Sequence, residues 1–154
     1  MQNEIIIRKV NEKDMLTVYE QICELESFAF DIKHFENIFF FNIHDVNTLY
    51  YLAEDAMGNC LGFISCHIQL LLHHCGKVAE IQELFVKADY RSRGVGGKLI
   101  DYIEEMLKEL DCVSFEVTAQ NKRLETHEFY KNNGFKNSHL KFTKTIEWEI
   151  YKVF

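Results

Sequence analysis

The sequence predicts a mixed α/β fold in a single domain, residues 1–154. Hydrophobic residues make up 47% of the chain and charged residues 27%, which is typical of a globular domain that buries a core. Stretches that alternate apolar and polar residues, as strands do, are interleaved with stretches whose apolar residues recur every three or four positions, as in helices. The predicted order is β-αα-β-β-β-α-β-α-β, and no repeat, linker or low-complexity segment interrupts it.

The beginning of the chain predicts a strand followed by two helices. Residues 4–10 are rich in isoleucine and predict the strand. Asn11 is a typical cap for the first helix, and Asp31 for the second. The second helix contains Phe39-Phe40-Phe41, which is too apolar to face solvent throughout. Core packing is the favoured explanation, and a cleft or a partner chain, such as a second copy in a homodimer, is left open.

Two strands, residues 48–54 and 60–72, are predicted to form a hairpin whose turn contains glycine. In the second of them Ser65, His67 and Gln69 share one face by strict alternation. A polar face on an interior strand either lines a site or faces solvent.

The end of the chain predicts a strand, a helix and a final strand or hairpin. Residues 112–118 alternate as a strand does. Asn121 is expected to open a fourth helix, and Gly134 to end it as a C-terminal cap. Residues 135–150 are expected to supply the last strand or hairpin.

Charge and cysteine content exclude several classes of protein. The formal net charge of −7 argues against general nucleic-acid binding and suits a cationic or amine-bearing partner. The five cysteines are odd in number and include no C-x-x-C, so we expect reduced, buried thiols rather than disulfides or a thiolate metal site. No apolar run approaches a membrane span and no signal peptide opens the sequence, so a cytoplasmic protein is expected.

The stretch from residue 79 to residue 110 predicts a strand, a glycine-rich loop and a helix. Backbone N–H groups at the start of such a helix are unpaired and lie at the positive end of its dipole, so the corner should bind an anion such as a pyrophosphate. A Walker A loop would need glycine at Ser92 and Ser or Thr at Leu99, and a dinucleotide loop would need a small residue at Leu99. Both of these phosphate loops are therefore excluded.

What remains is Arg91-x-x-Gly94-x-Gly96, followed later by Glu128-Phe129-Tyr130-x-x-x-Gly134-Phe135. This pattern resembles the GCN5-related N-acetyltransferases, the GNAT superfamily. The resemblance implies a central mixed, mostly antiparallel, twisted sheet flanked by helices. Short blocks at residues 22–31, 69–74, 79–84 and 138–144 are similar to the bacterial aminoalkylphosphonate N-acetyltransferases.

The resemblance implies that acetyl-CoA donates an acetyl group to the primary amine of a small aminoalkylphosphonate, by direct attack without an acyl-enzyme. One alternative acceptor is an aminoglycoside, a polyamine or another small amine. An alternative of a different class is a non-catalytic module that binds acetyl-CoA. A release assay for coenzyme A, without and with candidate amines, separates these three.

Catalytic residues are also implied by the resemblance. Glu80 is the first candidate for the base, acting through water, and Glu83 is the second. Strict alternation would point them to opposite faces, although the bulge that the family carries in this strand would change that count. Tyr130 is expected to donate a proton to the departing sulfur.

Acetyl-CoA is expected to contact the end of the fourth strand, the loop and the two helices beyond it. The N–H groups of Phe85 and Val86 are expected to polarise the thioester carbonyl and pair with the pantetheine arm. The residues assigned to acetyl-CoA are Leu84, Phe85, Val86, Arg91, Ser92, Arg93, Gly94, Val95, Gly96, Gly97, Lys98, Asn121 and Tyr130.

A second group of polar residues is assigned to the acceptor: His67, Gln69, His73, His139 and Lys144. Arg123 and Lys141 are further basic candidates for a phosphonate. His67, His73, His74 or His139 could hold a divalent metal together with Glu80 or Glu83, but no metal site is assigned. Adjacent His73 and His74 would point in opposite directions if their strand continued.

Overall fold

The computed structural model describes residues 4–146, which divide into two compact units, one ending at Val117 and the other beginning at Thr118. The first unit holds a five-stranded sheet whose spatial order is the chain order. Its strands are β1 (Ile6–Lys9), β2 (Thr48–Glu54), β3 (Cys60–Leu71), β4 (Gly76–Val86) and β5 (Cys112–Val117). Neighbouring strands are antiparallel except for the parallel pair of β4 and β5, which confirms the expected mixed, mostly antiparallel sheet.

Helices cover both faces of this sheet. The first two, α1 (Met15–Glu26) and α2 (Ile32–Ile43), share a buried cluster with Leu52 of β2 and Phe63 of β3. The third, α3 (Val95–Glu109), lies against the opposite face, where Tyr102 contacts the ring of Tyr51 at a centroid distance of 5.3 Å. Since side chains alternate along a strand, Leu52 and Tyr51 point to opposite faces and each face has a helical layer of its own.

Both predicted cap residues cap a helical turn, although the residue at the cap position of α1 itself is Asp14. Asn11 caps a short 3-10 turn just before α1: its side chain accepts the Lys13 N–H at 2.9 Å, and its own N–H donates to Asp14 at 2.8 Å. Asp31 caps α2 by accepting the His34 N–H at 2.8 Å. Each cap satisfies a backbone donor that the first turn of a helix leaves unpaired.

The phenylalanine run of α2 is divided between core and surface. Phe39 is buried in the cluster shared with α1 and packs edge-on against Phe40. Phe41, by contrast, is 75% exposed. Core packing thus explains the first of the three residues, since successive residues of a helix point about 100° apart.

The second unit contains α4 (Leu124–Asn132). Asn121 was expected to open this helix but lies in a turn before it, and Arg123 is the cap residue. Gly134 does end it: with φ of +90°, it lets the Phe135 N–H reach the Tyr130 carbonyl and the Gly134 N–H reach the Lys131 carbonyl, both at 3.0 Å. This pair of hydrogen bonds is a Schellman motif, for which glycine is the favoured residue.

The prediction of a last strand at residues 135–150 is wrong where it can be compared. Residues 135–146 form neither helix nor strand, and residues 147–150 lie outside the described part of the chain. From residue 136 to residue 146 every side chain is exposed. Alternation of residue types alone does not make a strand, because a strand also needs a neighbour to accept its backbone hydrogen bonds.

Within residues 4–146, no helix has the length and the apolar character needed to cross a membrane.

Candidate active site

A β-bulge in β4 brings Glu80 and Glu83 to the same face of the sheet. Ser65 of β3 pairs with Glu83, but the next residue, Cys66, pairs with Ile81, so Gln82 is an extra residue without a partner in the register. Glu80 pairs with His67. Because Ser65 and His67 are two residues apart on β3, their partners Glu83 and Glu80 share a face. Strict alternation along β4, without the bulge, would have put these two glutamates on opposite faces.

Ser65 and Glu83 are joined by two hydrogen bonds across the bulge. The Ser65 hydroxyl donates to Oε2 of Glu83 and accepts the backbone N–H of Glu83 at 3.0 Å. Ser65 has no exposed surface. The bonds hold the Glu83 side chain in one direction and satisfy a hydroxyl that would otherwise be costly to bury.

Tyr50 of β2 completes a row of three polar side chains across this face, since it pairs with Ser65 as Ser65 pairs with Glu83. Its hydroxyl accepts a hydrogen bond from Nδ2 of Asn42 on α2 at 2.7 Å, and its ring lies 6.3 Å from that of His67. Burial raises the pKa of Tyr50, and the negative charge of Glu83 raises it further. Tyr50 therefore stays a neutral hydrogen-bond donor at physiological pH.

The edge of β4 towards β5 is open beyond the bulge. In the described part of the chain, the last pair between these strands is Ile81 with Val117, whereas β4 continues against β3 as far as Val86. The stretch from Gln82 to Val86 thus has a strand partner on one side only. Its outward N–H groups are available to another extended chain.

Backbone alternation decides which amides face this open edge. The Lys87 N–H donates to the Leu61 carbonyl on the β3 side at 2.9 Å, while the Val86 carbonyl points away and accepts Nε of Arg91 at 3.0 Å. Leu84 and Val86 therefore turn their N–H groups to the open edge. Phe85 faces β3, and its carbonyl oxygen lies only 2.6 Å from where a Cβ on Gly62 would stand. The sequence analysis assigned the N–H groups of Phe85 and Val86 to acetyl-CoA. Only the Val86 N–H points to the open edge.

The glycine-rich loop leads from β4 into α3 as the sequence predicted. Arg91, Ser92, Arg93 and Lys98 are exposed, and Arg93 lies over the Tyr90 ring at 5.5 Å. Gly94 is the cap residue with φ of +82°, a conformation that favours glycine. No side chain among the described residues caps this end of α3. The N–H groups of Val95, Gly96 and Gly97, in its first turn, are thus left for an anion.

Tyr130 lies on α4, where its ring contacts those of Phe129 and Phe135 at 5.2 and 5.6 Å. Burial raises the pKa of its hydroxyl to about 12. The side chain therefore keeps its proton well above neutral pH, as a proton or hydrogen-bond donor must.

The other predicted acceptor residues lie on exposed segments of the two units. In the first unit, Gln69 is exposed near the end of β3, and His73 and His74 form a 3-10 turn instead of continuing the strand. Their rings contact each other at 4.4 Å, so they do not point in opposite directions. In the second unit, His139 and Lys144 are exposed in the segment without regular structure.

A metal site finds no support within residues 4–146, where no group of three or more His, Cys, Asp and Glu side chains is placed to hold an ion. His74 lies instead 3.5 Å from a Glu116 carboxylate oxygen. Cys66 is no candidate nucleophile, because burial raises the pKa of its thiol to about 12 and the reactive form is the thiolate.

Sequence reasoning did not assign Tyr50, Asn42 or Ser65 to the site. The polar alternation of Ser65 and His67 was a usable signal for one of them. The pairing of β2 with β3 was a second, since it puts Tyr50 beside Ser65. No local pattern connects Asn42 to Tyr50, because that hydrogen bond depends on how α2 packs on the sheet.

Known proteins are similar to this chain in sequence. A family model described as the acetyltransferase (GNAT) family matches residues 15–135. The aminoalkylphosphonate N-acetyltransferase of Salmonella typhimurium is 36% identical over 140 residues, which cover 91% of this chain and 90% of that protein. The glucosamine 6-phosphate N-acetyltransferase of Arabidopsis thaliana is 25% identical over 106 residues, 67% of this chain and 68% of that protein.

Solved structures share the fold at low sequence identity. A transcriptional regulator from Bacillus halodurans superposes with a TM-score of 0.84 at 19% identity, covering 93% of this chain and all of that one. An aminoglycoside 6'-N-acetyltransferase from Acinetobacter baumannii superposes with a TM-score of 0.79 at 19% identity, covering 94% of this chain and all of that one. Proteins described as a transcriptional regulator and as an aminoglycoside acetyltransferase share this fold. The fold alone therefore does not identify the acceptor.

Proposed function

The chain belongs to the acetyltransferase (GNAT) family and is an acetyl-CoA-dependent N-acetyltransferase, and we propose that its acceptor is the primary amine of a small aminoalkylphosphonate. The observation that carries the acceptor class is the 36% identity, over nine-tenths of both chains, to an enzyme named for that substrate. The aminoglycoside enzyme resembles this chain at 19% identity, which supports a common fold and no common acceptor.

Acetyl-CoA fits the two features that run from β4 to α3. The uncapped first turn of α3, with Gly94 before it, offers backbone N–H groups and a helix dipole to the pyrophosphate. Arg91, Arg93 and Lys98 supply positive charge at the same corner. The open edge of β4 offers the Leu84 and Val86 N–H groups to the pantetheine arm and the thioester carbonyl.

The chemistry is a direct attack of the amine on the thioester. An alkylammonium group has a pKa near 10, so it must lose a proton to a base on the enzyme before it can attack at neutral pH. Glu80 and Glu83 are the candidate bases, because both lie on the face of the sheet that carries His67 and Ser65. As the nitrogen–carbon bond forms, the carbon–sulfur bond breaks and its electron pair leaves with the sulfur.

Tyr130 is proposed to meet the departing sulfur. With a pKa of about 12, it is a weaker acid than an ordinary thiol, whose pKa is near 8.5. Complete proton transfer to the sulfur is therefore uphill. Tyr130 acts chiefly by donating a hydrogen bond to the thiolate, which needs no transfer.

The phosphonate is proposed to be held by basic side chains of the second unit. Arg123, Lys141 and Lys144 are exposed there, and a dianion needs cations or backbone N–H groups to replace its hydration.

Release of coenzyme A, measured by titrating the new thiol, tests this proposal. The enzyme is assayed with 2-aminoethylphosphonate and with ethanolamine, in which a neutral hydroxyl replaces the phosphonate. We expect the KM for ethanolamine to be at least 10-fold higher, since the groups that bind the anion are left unpaired. Equal kcat/KM values for the two amines would remove the phosphonate from the proposal and leave the acetyltransferase activity standing.

A further inference from the structure

Glu83 is the carboxylate that lies beside the open stretch of β4. Its neighbour Leu84 turns an N–H group to that edge, as Val86 does, whereas Glu80 belongs to the stretch still paired with β5. A strand advances about 3.3 Å per residue, so Glu80 lies up to roughly 10 Å further along β4. An acetyl group held at the Leu84 or Val86 amide is therefore nearer to Glu83.

Ser65 determines where the Glu83 carboxylate points. A serine hydroxyl has a single proton to donate, and that of Ser65 goes to Oε2 of Glu83. The Ser65 hydroxyl oxygen also accepts the backbone N–H of Glu83. The backbone and the side chain of Glu83 are therefore both hydrogen-bonded to one buried atom. Glu83 is thus oriented at both ends by the neighbouring strand.

Titratable side chains from four strands lie on the face that carries Glu83. They include Tyr50 from β2, His67 from β3, Glu80 from β4 itself and Glu116 from β5. On the side of α2, the neutral amide of Asn42 holds the Tyr50 hydroxyl. In the described part of the chain, no lysine, arginine or histidine forms an ion pair with Glu83.

We propose that Glu83 takes the proton of the acceptor amine and that Ser65 is the positioning residue that aims it. The inference rests on the proposed transfer to an amine and extends it to Ser65, a residue that sequence reasoning did not assign to the site. The ammonium group first gives a proton to a carboxylate oxygen of Glu83. The neutral nitrogen then attacks the thioester carbonyl carbon, the carbon–sulfur bond breaks with its electron pair on the sulfur, and the second proton that the nitrogen loses goes to solvent. Ser65 takes no part in bond making and acts only through Glu83.

A double-mutant cycle with Ser65→Ala and Glu83→Gln tests the coupling. Ser65→Ala should lower kcat about 10- to 100-fold and leave the KM for acetyl-CoA unchanged, since a displacement of about 1 Å can cost 100-fold. Glu83→Gln should lower kcat/KM more at pH 7 than at pH 9, where more of the amine is already neutral. In the Glu83→Gln background, Ser65→Ala should add little, because Ser65 has no carboxylate left to aim.

Ser114→Ala is the matched control, because the Ser114 hydroxyl also donates to a carboxylate of the same sheet, that of Glu116, at 3.2 Å. It should keep the wild-type kcat and pH profile. Circular dichroism and thermal unfolding of each variant separate a folding defect from a catalytic one. If Ser65→Ala does not fold, the pH profiles of Glu83→Gln and Glu80→Gln decide between the two bases.

Three results would overturn the proposal: a fully active Ser65→Ala, losses that multiply in the double variant, or recovery at pH 9 for Glu80→Gln and not for Glu83→Gln. The cycle is measured with whichever primary amine of a panel has the highest kcat/KM. If that amine is not a phosphonate, the proposed acceptor fails, and the cycle still measures whether Ser65 acts through Glu83.

Discussion

Removing the Tyr130 hydroxyl tests how the thiolate departs. Tyr130→Phe keeps the ring that contacts Phe129 and Phe135, so the fold should survive. The pKa of about 12 lies about 3.5 units above that of an ordinary thiol, so complete proton transfer would cost about 5 kcal/mol. Efficient general acids have pKa values nearer the working pH, and general acid catalysis contributes about 10²- to 10⁴-fold. We therefore expect kcat to fall about 100-fold, the lower end of that range.

The pH dependence of this loss is a sharper test than its size. Because burial raises the pKa of Tyr130 to about 12, the hydroxyl is protonated in the resting wild-type enzyme up to about pH 10. The ratio of wild-type to variant kcat should therefore stay constant from about pH 6 to pH 10. Single-turnover release of coenzyme A measures the chemical step directly. An unchanged single-turnover rate, or a ratio that shrinks towards one by about pH 9, would refute this role for Tyr130.

The remaining predictions concern cofactor binding, core packing and acid stability. Gly96→Asp puts a negative side chain at the first turn of α3, so in initial-rate kinetics it should raise the KM for acetyl-CoA far more than the KM for the amine. An equal rise in both KM values would mean that the glycine-rich loop binds something other than acetyl-CoA. Phe39→Ala should lower the free energy of unfolding by about 3–5 kcal/mol in urea titrations, because Phe39 is 2% exposed; Phe41→Ala, at an exposed neighbour, is its control. Burial of Asp14 opposes ionisation, but hydrogen bonds from Arg8 and Asn11 prevail and lower the pKa of Asp14 below its ordinary value of 3.8. Stability should therefore be lost as the pH falls through that lowered pKa, and Arg8→Met should weaken this acid dependence; an identical pH dependence of unfolding in the variant would contradict it.

Much of the fold could be predicted because local chemistry decides it. The caps at Asn11 and Asp31 follow from side chains that satisfy their own backbone neighbours, and the Schellman motif at Gly134 follows from a residue that tolerates positive φ. The bounds of β2 also follow from a pattern contained in the strand, and the structure has the same residues 48–54.

The bulge at Gln82 shows where local patterns stop being sufficient. Alternation counts residues along one strand, whereas a bulge is a property of two strands and their pairing. The sequence therefore left the faces of Glu80 and Glu83 undecided, and the register of β3 with β4 decides them. The direction of the Phe85 amide depends on the same register, so it too could not be predicted from the residues alone.

The polar row of Tyr50, Ser65 and Glu83 belongs to the same class of features. Each member is an ordinary strand residue by itself, and the row exists only because three strands pair in one register. The prediction of a final strand failed for a related reason: residues 135–146 form no strand, because a strand depends on pairing that a local pattern does not show.

A competition for limiting acetyl-CoA tests the proposed acceptor most directly. The enzyme is mixed with equal concentrations of 2-aminoethylphosphonate, an aminoglycoside and a polyamine, and the acetylated products are counted by mass spectrometry. At equal amine concentrations the ratio of the products equals the ratio of the kcat/KM values, whatever the separate values of kcat and KM. N-acetylated aminoethylphosphonate should be the dominant product. A mixture dominated by the acetylated aminoglycoside or polyamine would contradict the proposed acceptor.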